Sequence, residues 1–164
     1  MGISKKILIV GDENSFFYDQ LIIEGLNGLI KKGELVEVST RRYDLVVIVK
    51  YEFHEHMQEL LTTYLKTGGT VLNIKPDKQF DSFYGLKKLG SLEKGYLYDY
   101  SLEKSYQATC QIFNIDKYSD NELIAKLLDK NGIDTGYSSV FQKTIGPGKI
   151  VIVAFDFNQT IYLL

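Results

Sequence analysis

Between Tyr43 and Ile74 the residues spell out strand, helix, strand, and no other stretch limits the fold as much. Tyr43 to Val49 is a nearly unbroken apolar run, the mark of a strand covered on both faces. Phe53, Met57, Leu60, Leu61, Tyr64 and Leu65 then recur on one helical face until Thr67-Gly68-Gly69 ends the helix, and Thr70 to Ile74 resumes extended structure. Two buried strands joined by a helix require a crossover connection, hence a parallel sheet with helices on its faces. Lys6 to Val10, stopped by Gly11-Asp12, reads as a first strand of the same kind. Beyond it, Asn14 or Ser15 is placed to cap a helix in which Phe17, Leu21, Leu26 and Leu29 repeat, down to Lys31-Lys32-Gly33. Gly25 and Gly28 fall inside that helix, where each costs about 1 kcal/mol against alanine, so close packing on the sheet is the role assigned to them. Glu34 to Val38 alternates polar and apolar residues and is predicted to be an edge strand.

After Pro76 the rhythm changes. Ser82 to Ser105, rich in Lys, Gly and Tyr, reads as loops with one strand around Tyr96 to Tyr100. Thr109 to Asn114 and Leu123 to Leu128 look extended, although the latter also fits a short helix. Tyr137 to Thr144 and Lys149 to Phe155, joined by Gly146-Pro147-Gly148, form a hairpin whose second strand is apolar on both faces and therefore interior. The expected class is α/β: a three-layer sandwich with a mainly parallel central sheet and an antiparallel C-terminal hairpin. No linker, repeat or low-complexity tract interrupts residues 1–164, which are read as a single domain.

Composition narrows the function classes. The chain has 164 residues, 45% of them hydrophobic, enough to bury about two-thirds of its unfolded surface without staples. Its net charge of −2 argues against a nucleic-acid partner, whose electrostatic footprint is a strong basic excess. One cysteine, Cys110, cannot form an internal disulfide or a cysteine zinc cluster, which favours the cytoplasm. No apolar run reaches the roughly 20 residues of a membrane span, so no membrane partner is expected.

In open parallel sheets, ligands bind beyond the carboxyl ends of the strands. That rule selects Asp12, Glu13 and Asn14 after the first strand, Lys50, Glu52 and His54 after the third, and Lys75 and Asp77 after the fourth, as a crevice for a small polar ligand. Gly11 is followed by two carboxylates and no second glycine, so neither the dinucleotide fingerprint nor the phosphate loop is present. His54 and His56, two apart on a helix, point about 200° apart and cannot share one ion. No metal and no cofactor is expected. Cys110 lies within an apparent strand without a nearby histidine, the setting of a buried, inert thiol.

Three stretches, Tyr43 to Ile48, Leu61 to Leu72 and Gly148 to Asp156, resemble the third strand, the Gly-Gly-terminated helix with its following strand, and the closing strand of the class I glutamine amidotransferase-like domains. That flavodoxin-like family includes the trimerisation domain of some bacterial β-galactosidases and trehalose-utilisation-type proteins. In its active members the fourth strand leads into a sharp turn with a nucleophilic cysteine between glycines. The similar stretch here is Val71-Leu72-Asn73-Ile74-Lys75-Pro76-Asp77, with Lys75 in the place of the cysteine and Asn73 and Asp77 in the places of the glycines. Pro76 also removes an amide donor from any oxyanion hole, and the family's later His-x-Glu pair is missing. The resemblance therefore implies a catalytically silent domain with no catalytic residue to carry over. It would serve as an interaction or small-ligand-binding module linked to carbohydrate metabolism, as a homo-oligomer or within a larger protein. The alternative is an enzyme that uses the crevice around Lys75 in a non-cysteine chemistry.

The chain carries 12 tyrosines and no tryptophan. Tyr84, Tyr96, Tyr98, Tyr100, Tyr106 and Tyr118 cluster after Pro76, and are expected to form a packing or dimer surface rather than a sugar platform.

Overall fold

The computed structural model describes residues 5–13, 15–39, 42–52, 54–76, 88–92, 95–99, 102–108, 112–115, 123–153 and 160–162. The chain divides into two compact units, Met1–Asp77 with Thr144–Ile150, and Lys78–Lys143 with Val151–Leu164. The fold is α/β, with parallel strands in the first unit and an antiparallel hairpin near the C-terminus, as the residue pattern predicts.

In the first unit, β1 (Ile7–Gly11) pairs in parallel with β2 (Ile30–Lys32) on one side and β3 (Leu45–Val49) on the other, and β3 pairs in parallel with β4 (Thr70–Ile74). Leu8, Ile9, Val10, Val46, Val47, Ile48, Val71 and Ile74 are buried, each fully covered apolar side chain contributing about 1.5–3 kcal/mol. Two helices make the crossovers, α1 (Phe16–Ile23) and α2 (Glu55–Lys66). On α2, Met57, Leu61, Tyr64 and Leu65 are buried at the spacing of one helical face.

The end of α2 is built by backbone chemistry. The Gly68 amide donates to the Leu65 carbonyl at 3.0 Å and the Gly69 amide to the Tyr64 carbonyl at 3.1 Å, the crossed pair of a Schellman turn. Gly68 takes the left-handed conformation that turn requires, φ +90°. Gly69 is required for a different reason: a Cβ there would overlap the Tyr64 ring. The Tyr64 hydroxyl in turn donates to the Tyr43 carbonyl at 3.0 Å, tying the helix end to the entrance of β3.

The same motif explains a departure from the sequence pattern. The helix expected to run to Leu29 ends at Ile23, because Gly25 (φ +86°) donates to Ile22 and Leu26 donates to Leu21, closing a Schellman turn six residues early. Gly25 and Gly28 thus lie outside the helix, and a Cβ on either would meet nothing within 4 Å. Their role is to turn the chain, and the close packing predicted for them is absent. The expected edge strand over Glu34 to Val38 is also replaced. The turn at Gly28 brings Ile30 level with Ile7, so Ile30–Lys32 becomes β2, and Leu35–Ser39 forms a 3-10 helix.

In the second unit the strand expected around Tyr96 to Tyr100 is present as Gly95–Asp99, and the described residues on either side of it, read as loops, also form strands. β5 (Lys88–Leu92), β6 (Gly95–Asp99), β7 (Lys104–Ala108), β8 (Ile112–Ile115), β9 (Leu123–Leu128), β10 (Asp134–Ile145) and β12 (Thr160–Tyr162) pair antiparallel, in the order β12-β7-β6-β9-β10, with β8 beside β10 and β5 beside β8. Tyrosines favour extended backbone, and here they build strands: Tyr96 and Tyr98 lie half-buried on β6, and Tyr106 on β7 stands opposite Leu97 and Tyr162. Tyr84, Tyr100, Tyr118 and Cys110 lie outside the described residues. Between β9 and β10, Asp129 Oδ1 accepts the amides of Asn131 and Ile133, and Gly132 takes φ +76°, the left-handed position that an Asn-Gly turn supplies. β11 (Gly148–Val153) follows the Gly146-Pro147 turn, and in the first unit its Lys149 amide donates to the Gly69 carbonyl at 3.1 Å.

Because the Tyr64 ring fills the space a side chain at 69 would need, Gly69→Ala is expected to destabilise the fold by about 2 kcal/mol. Gly28→Ala, which creates no contact, should cost only the left-handed backbone penalty of about 1 kcal/mol, and the two denaturation midpoints measure the difference.

Candidate functional site

The register of the parallel strands sets the geometry of the carboxyl edge. Gly11 is level with Val49, and Val49 is level with Ile74. The next residue on each strand, Asp12, Lys50 and Lys75, therefore leaves the sheet at the same height. All three take the left-handed conformation, with φ of 56°, 46° and 49°. The Asp12 amide donates to the Val49 carbonyl and the Lys50 amide to the Ile74 carbonyl, each at 3.1 Å, so the ladder is completed while the chain turns away. Left-handed backbone costs a non-glycine residue about 1–2 kcal/mol, and a row of three such residues at adjacent strand exits is a concentration of strain.

Asp12 is buried, and its side chain has a visible task. Oδ1 accepts the Phe17 amide at 3.1 Å and Oδ2 the Tyr18 amide at 2.9 Å, so the carboxylate satisfies the free donors at the start of α1. Ser15, expected as a cap, makes no side-chain capping bond. Its hydroxyl meets the Lys32 ammonium at 2.6 Å, and the same ammonium donates to the Asp12 carbonyl at 3.2 Å. A helix N-terminus beside the β1–β3 exits is the place where folds of this kind hold a phosphate. Here the protein's own carboxylate already occupies those amides.

Lys50, Glu13, Glu52 and His54 are exposed and Lys75 is half-buried, so the described members of the predicted crevice sit at the strand exits to which the sequence assigns them. Asn14 and Asp77, predicted with them, lie outside the described residues. Tyr51 closes part of the edge by donating its hydroxyl to Glu34 at 2.9 Å, and burial followed by that carboxylate raises its pKa. His54 is extended backbone immediately before α2, while His56 lies within the helix, and both are exposed. Among the described residues no three His, Cys, Asp or Glu side chains are grouped to hold a metal ion, and no helix is long and apolar enough to cross a membrane.

Next to Lys75, Asn73 is wholly buried on β4 and Pro76 is buried after the turn. The left-handed backbone at Lys50 and Lys75 is not legible in the sequence, since lysine carries no preference for it and a glycine would have been the natural signal.

A second concavity lies at the opposite, amino-terminal edge of β3 and β4. It has a volume of about 620 Å3 and is lined by Ser39, Arg42, Asp44, Tyr64, Thr67 and Gly68 among others. Tyr64 is buried, which raises its pKa, and hydrogen bonds from Lys31 and then Tyr43 hold the neighbouring Glu37 carboxyl below the usual range. Sequence reasoning looked only at the carboxyl edge and missed this pocket. Its only sequence signal is the Gly68-Gly69 pair, which leaves room where a helix meets the next strand.

Two outcomes test the carboxyl edge. Asp12→Ala should cost about 1–2 kcal/mol by stripping the α1 amides of their acceptor, with Asp12→Asn recovering part of the loss. Lys75→Gly should raise the unfolding free energy by about 0.5–1 kcal/mol, read from denaturant titration, because glycine relieves the left-handed strain at the price of chain entropy.

No family model matches the sequence, and no curated protein matches it significantly. Solved structures do resemble it. A β-galactosidase from Rahnella sp. R3 superposes with a TM-score of 0.68 at 14% identity, over 94% of this chain and 29% of that one. The exo-β-1,4-mannosidase Op5Man5 from Opitutaceae bacterium strain TAV5 gives 0.65 at 13% identity, over 93% and 31%. The cytoplasmic protein STM3548 from Salmonella typhimurium gives 0.60 at 11% identity, over 92% of this chain and 87% of that one. The chain thus spans less than a third of the two glycosidases, and the likeness is one of fold.

Proposed function

We propose that residues 1–164 act as one catalytically silent, amidotransferase-like module that binds a small polar ligand or a protein partner in a carbohydrate-linked setting. The reading rests above all on Lys75. It stands where the resembled family places its nucleophile, at the end of β4, and it is left-handed as the residue of a strained strand-to-turn elbow is. Its neighbours differ from those an acyl-transfer site needs. A buried asparagine precedes it by two residues, and Pro76 offers no amide to an oxyanion. The self-capped start of α1 adds support, because Asp12 takes the amides that an anionic substrate or cofactor would use.

The carbohydrate link comes from the similar fold in the β-galactosidase and the mannosidase, in which a domain of this shape is one part of a longer chain. A larger-protein context or self-association fits that pattern, as does a cytoplasmic setting, the word used for the Salmonella protein. Binding is assigned to Glu13, Asn14, Lys50, Glu52, His54, Lys75 and Asp77, with Asp12 holding the start of α1 beneath them and without a metal or cofactor. One observation favours a second reading: strain at a chemically competent side chain, Lys75, is a feature of active sites, and a lysine nucleophile would exploit it.

Incubation of the purified chain with glutamine and with p-nitrophenyl acetate separates the two. The silent module is expected to give no turnover above buffer. Turnover abolished by Cys110→Ser would overturn the reading outright, and turnover abolished by Lys75→Ala would replace it with the second.

A further inference from the structure

At the amino-terminal edge, the pocket has a one-sided hydrogen-bonding character that identifies what it could hold. Each hydroxyl on its wall has a single proton, and each spends it on the protein. Ser39 donates to the Val36 carbonyl at 2.7 Å, Thr67 to the Tyr64 carbonyl at 2.7 Å, and Tyr64 to the Tyr43 carbonyl at 3.0 Å. Toward the cavity these groups can offer only lone pairs. Asp44 adds a carboxylate of which, among the described residues, Oδ2 accepts the Lys6 amide at 2.8 Å. The C-terminal end of α2, with its carbonyl dipoles, supplies the same sign. Against this acceptor-rich wall the described lining residues set one charged side-chain donor, the Arg42 guanidinium, two residues from Asp44 and exposed like it.

Among the described lining residues a simple anion would meet acceptors everywhere except at Arg42, and an ammonium ion would meet the guanidinium. A neutral compound with adjacent hydroxyls satisfies both, since it can donate to a carboxylate and to hydroxyl lone pairs while its own oxygens accept from arginine. We infer that this pocket is a binding site for a neutral saccharide, with Asp44, Ser39 and Thr67 as acceptors and Arg42 as donor. Its volume of about 620 Å3 falls within the range of small-molecule sites. The tyrosines beside it, Tyr43 and Tyr64, are buried and offer no open ring for a sugar to stack on, so affinity comes from hydrogen bonds and is expected to be about millimolar. The site uses none of the carboxyl-edge residues and stands whether or not that crevice binds anything.

The experiment is a titration of the full 15N-labelled chain with galactose, lactose, inorganic phosphate and ethylammonium chloride, followed through the backbone amides. The expected result is a saturable shift of the Gly68 and Gly69 amides with galactose or lactose, weakened about tenfold or more in Arg42→Ala and in Asp44→Ala. Amide dispersion in both variants confirms that they fold, as their surface positions allow. The inference is overturned by an absence of saccharide shifts up to about 50 mM. It is equally overturned by shifts with phosphate or ethylammonium alone, by undiminished binding in Arg42→Ala, or by saccharide shifts confined to Asp12–Glu13 and Lys50–Glu52.

Discussion

The level register of three parallel strands is the constraint on which the rest of the first unit depends. With Gly11, Val49 and Ile74 in one row, the chain must leave the sheet at three neighbouring points at once. It does so by bending each strand sharply, while the exit amides of Asp12 and Lys50 still reach the neighbouring carbonyls of Val49 and Ile74. Space is tightest at Gly11, where a Cβ would overlap the Val49 carbonyl oxygen, and only there does the chain use glycine. At the next position it keeps aspartate or lysine and accepts the strain. Register, close approach and strained exits are thus one arrangement: the hydrogen-bonded ladder is worth more than the conformational cost of ending it abruptly.

What was legible in the sequence follows the range of the interaction. The strands over Leu45–Val49 and Thr70–Ile74 and the helix over Glu55–Lys66 came through because burial on both faces leaves a continuous apolar run, and burial of one helical stripe leaves a period, and the order of residues records both. The early end of α1 did not, although its cause is local. Gly25 in a left-handed turn and Gly25 inside a helix look the same in one dimension, and the apolar spacing of Leu26 and Leu29 favoured the wrong one. The strand around Tyr96 was legible as β6, but β5 and β7 on either side of it were hidden for the opposite reason. Lys88-Leu89-Gly90-Ser91-Leu92 and Lys104-Ser105-Tyr106-Gln107-Ala108 lack a long apolar alternation, and their pairing with β8, β6 and β12 is set by residues outside each segment.

The candidate site divides along the same line. That Asp12, Lys50 and Lys75 would gather at one edge could be inferred from strand order alone. That Asp12 would be consumed in holding α1 could not, because a carboxylate just after a strand reads equally well as a ligand group or a cap. The hydrogen bonds to Phe17 and Tyr18 decide it. The opposite edge shows the converse. At the amino-terminal pocket Arg42 and Asp44 read as ordinary surface charges, and the acceptor character of the wall between them depends on where the hydroxyl protons of Ser39, Thr67 and Tyr64 are directed.

These two edges are linked by α2. Its first turn follows directly from the Lys50 exit, and its Schellman end, held by Tyr64 on the Tyr43 carbonyl and by the absence of a side chain at Gly69, forms one wall of the pocket. The helix cannot shift along its axis without breaking the Tyr64 hydrogen bond or driving its ring into β4's entrance. The position of the strained lysine edge and the shape of the acceptor-rich pocket are therefore fixed by the same packing. That rigidity is a physical asset for binding: a weak ligand gains most from groups already held in place, because little ordering entropy is then left to oppose it.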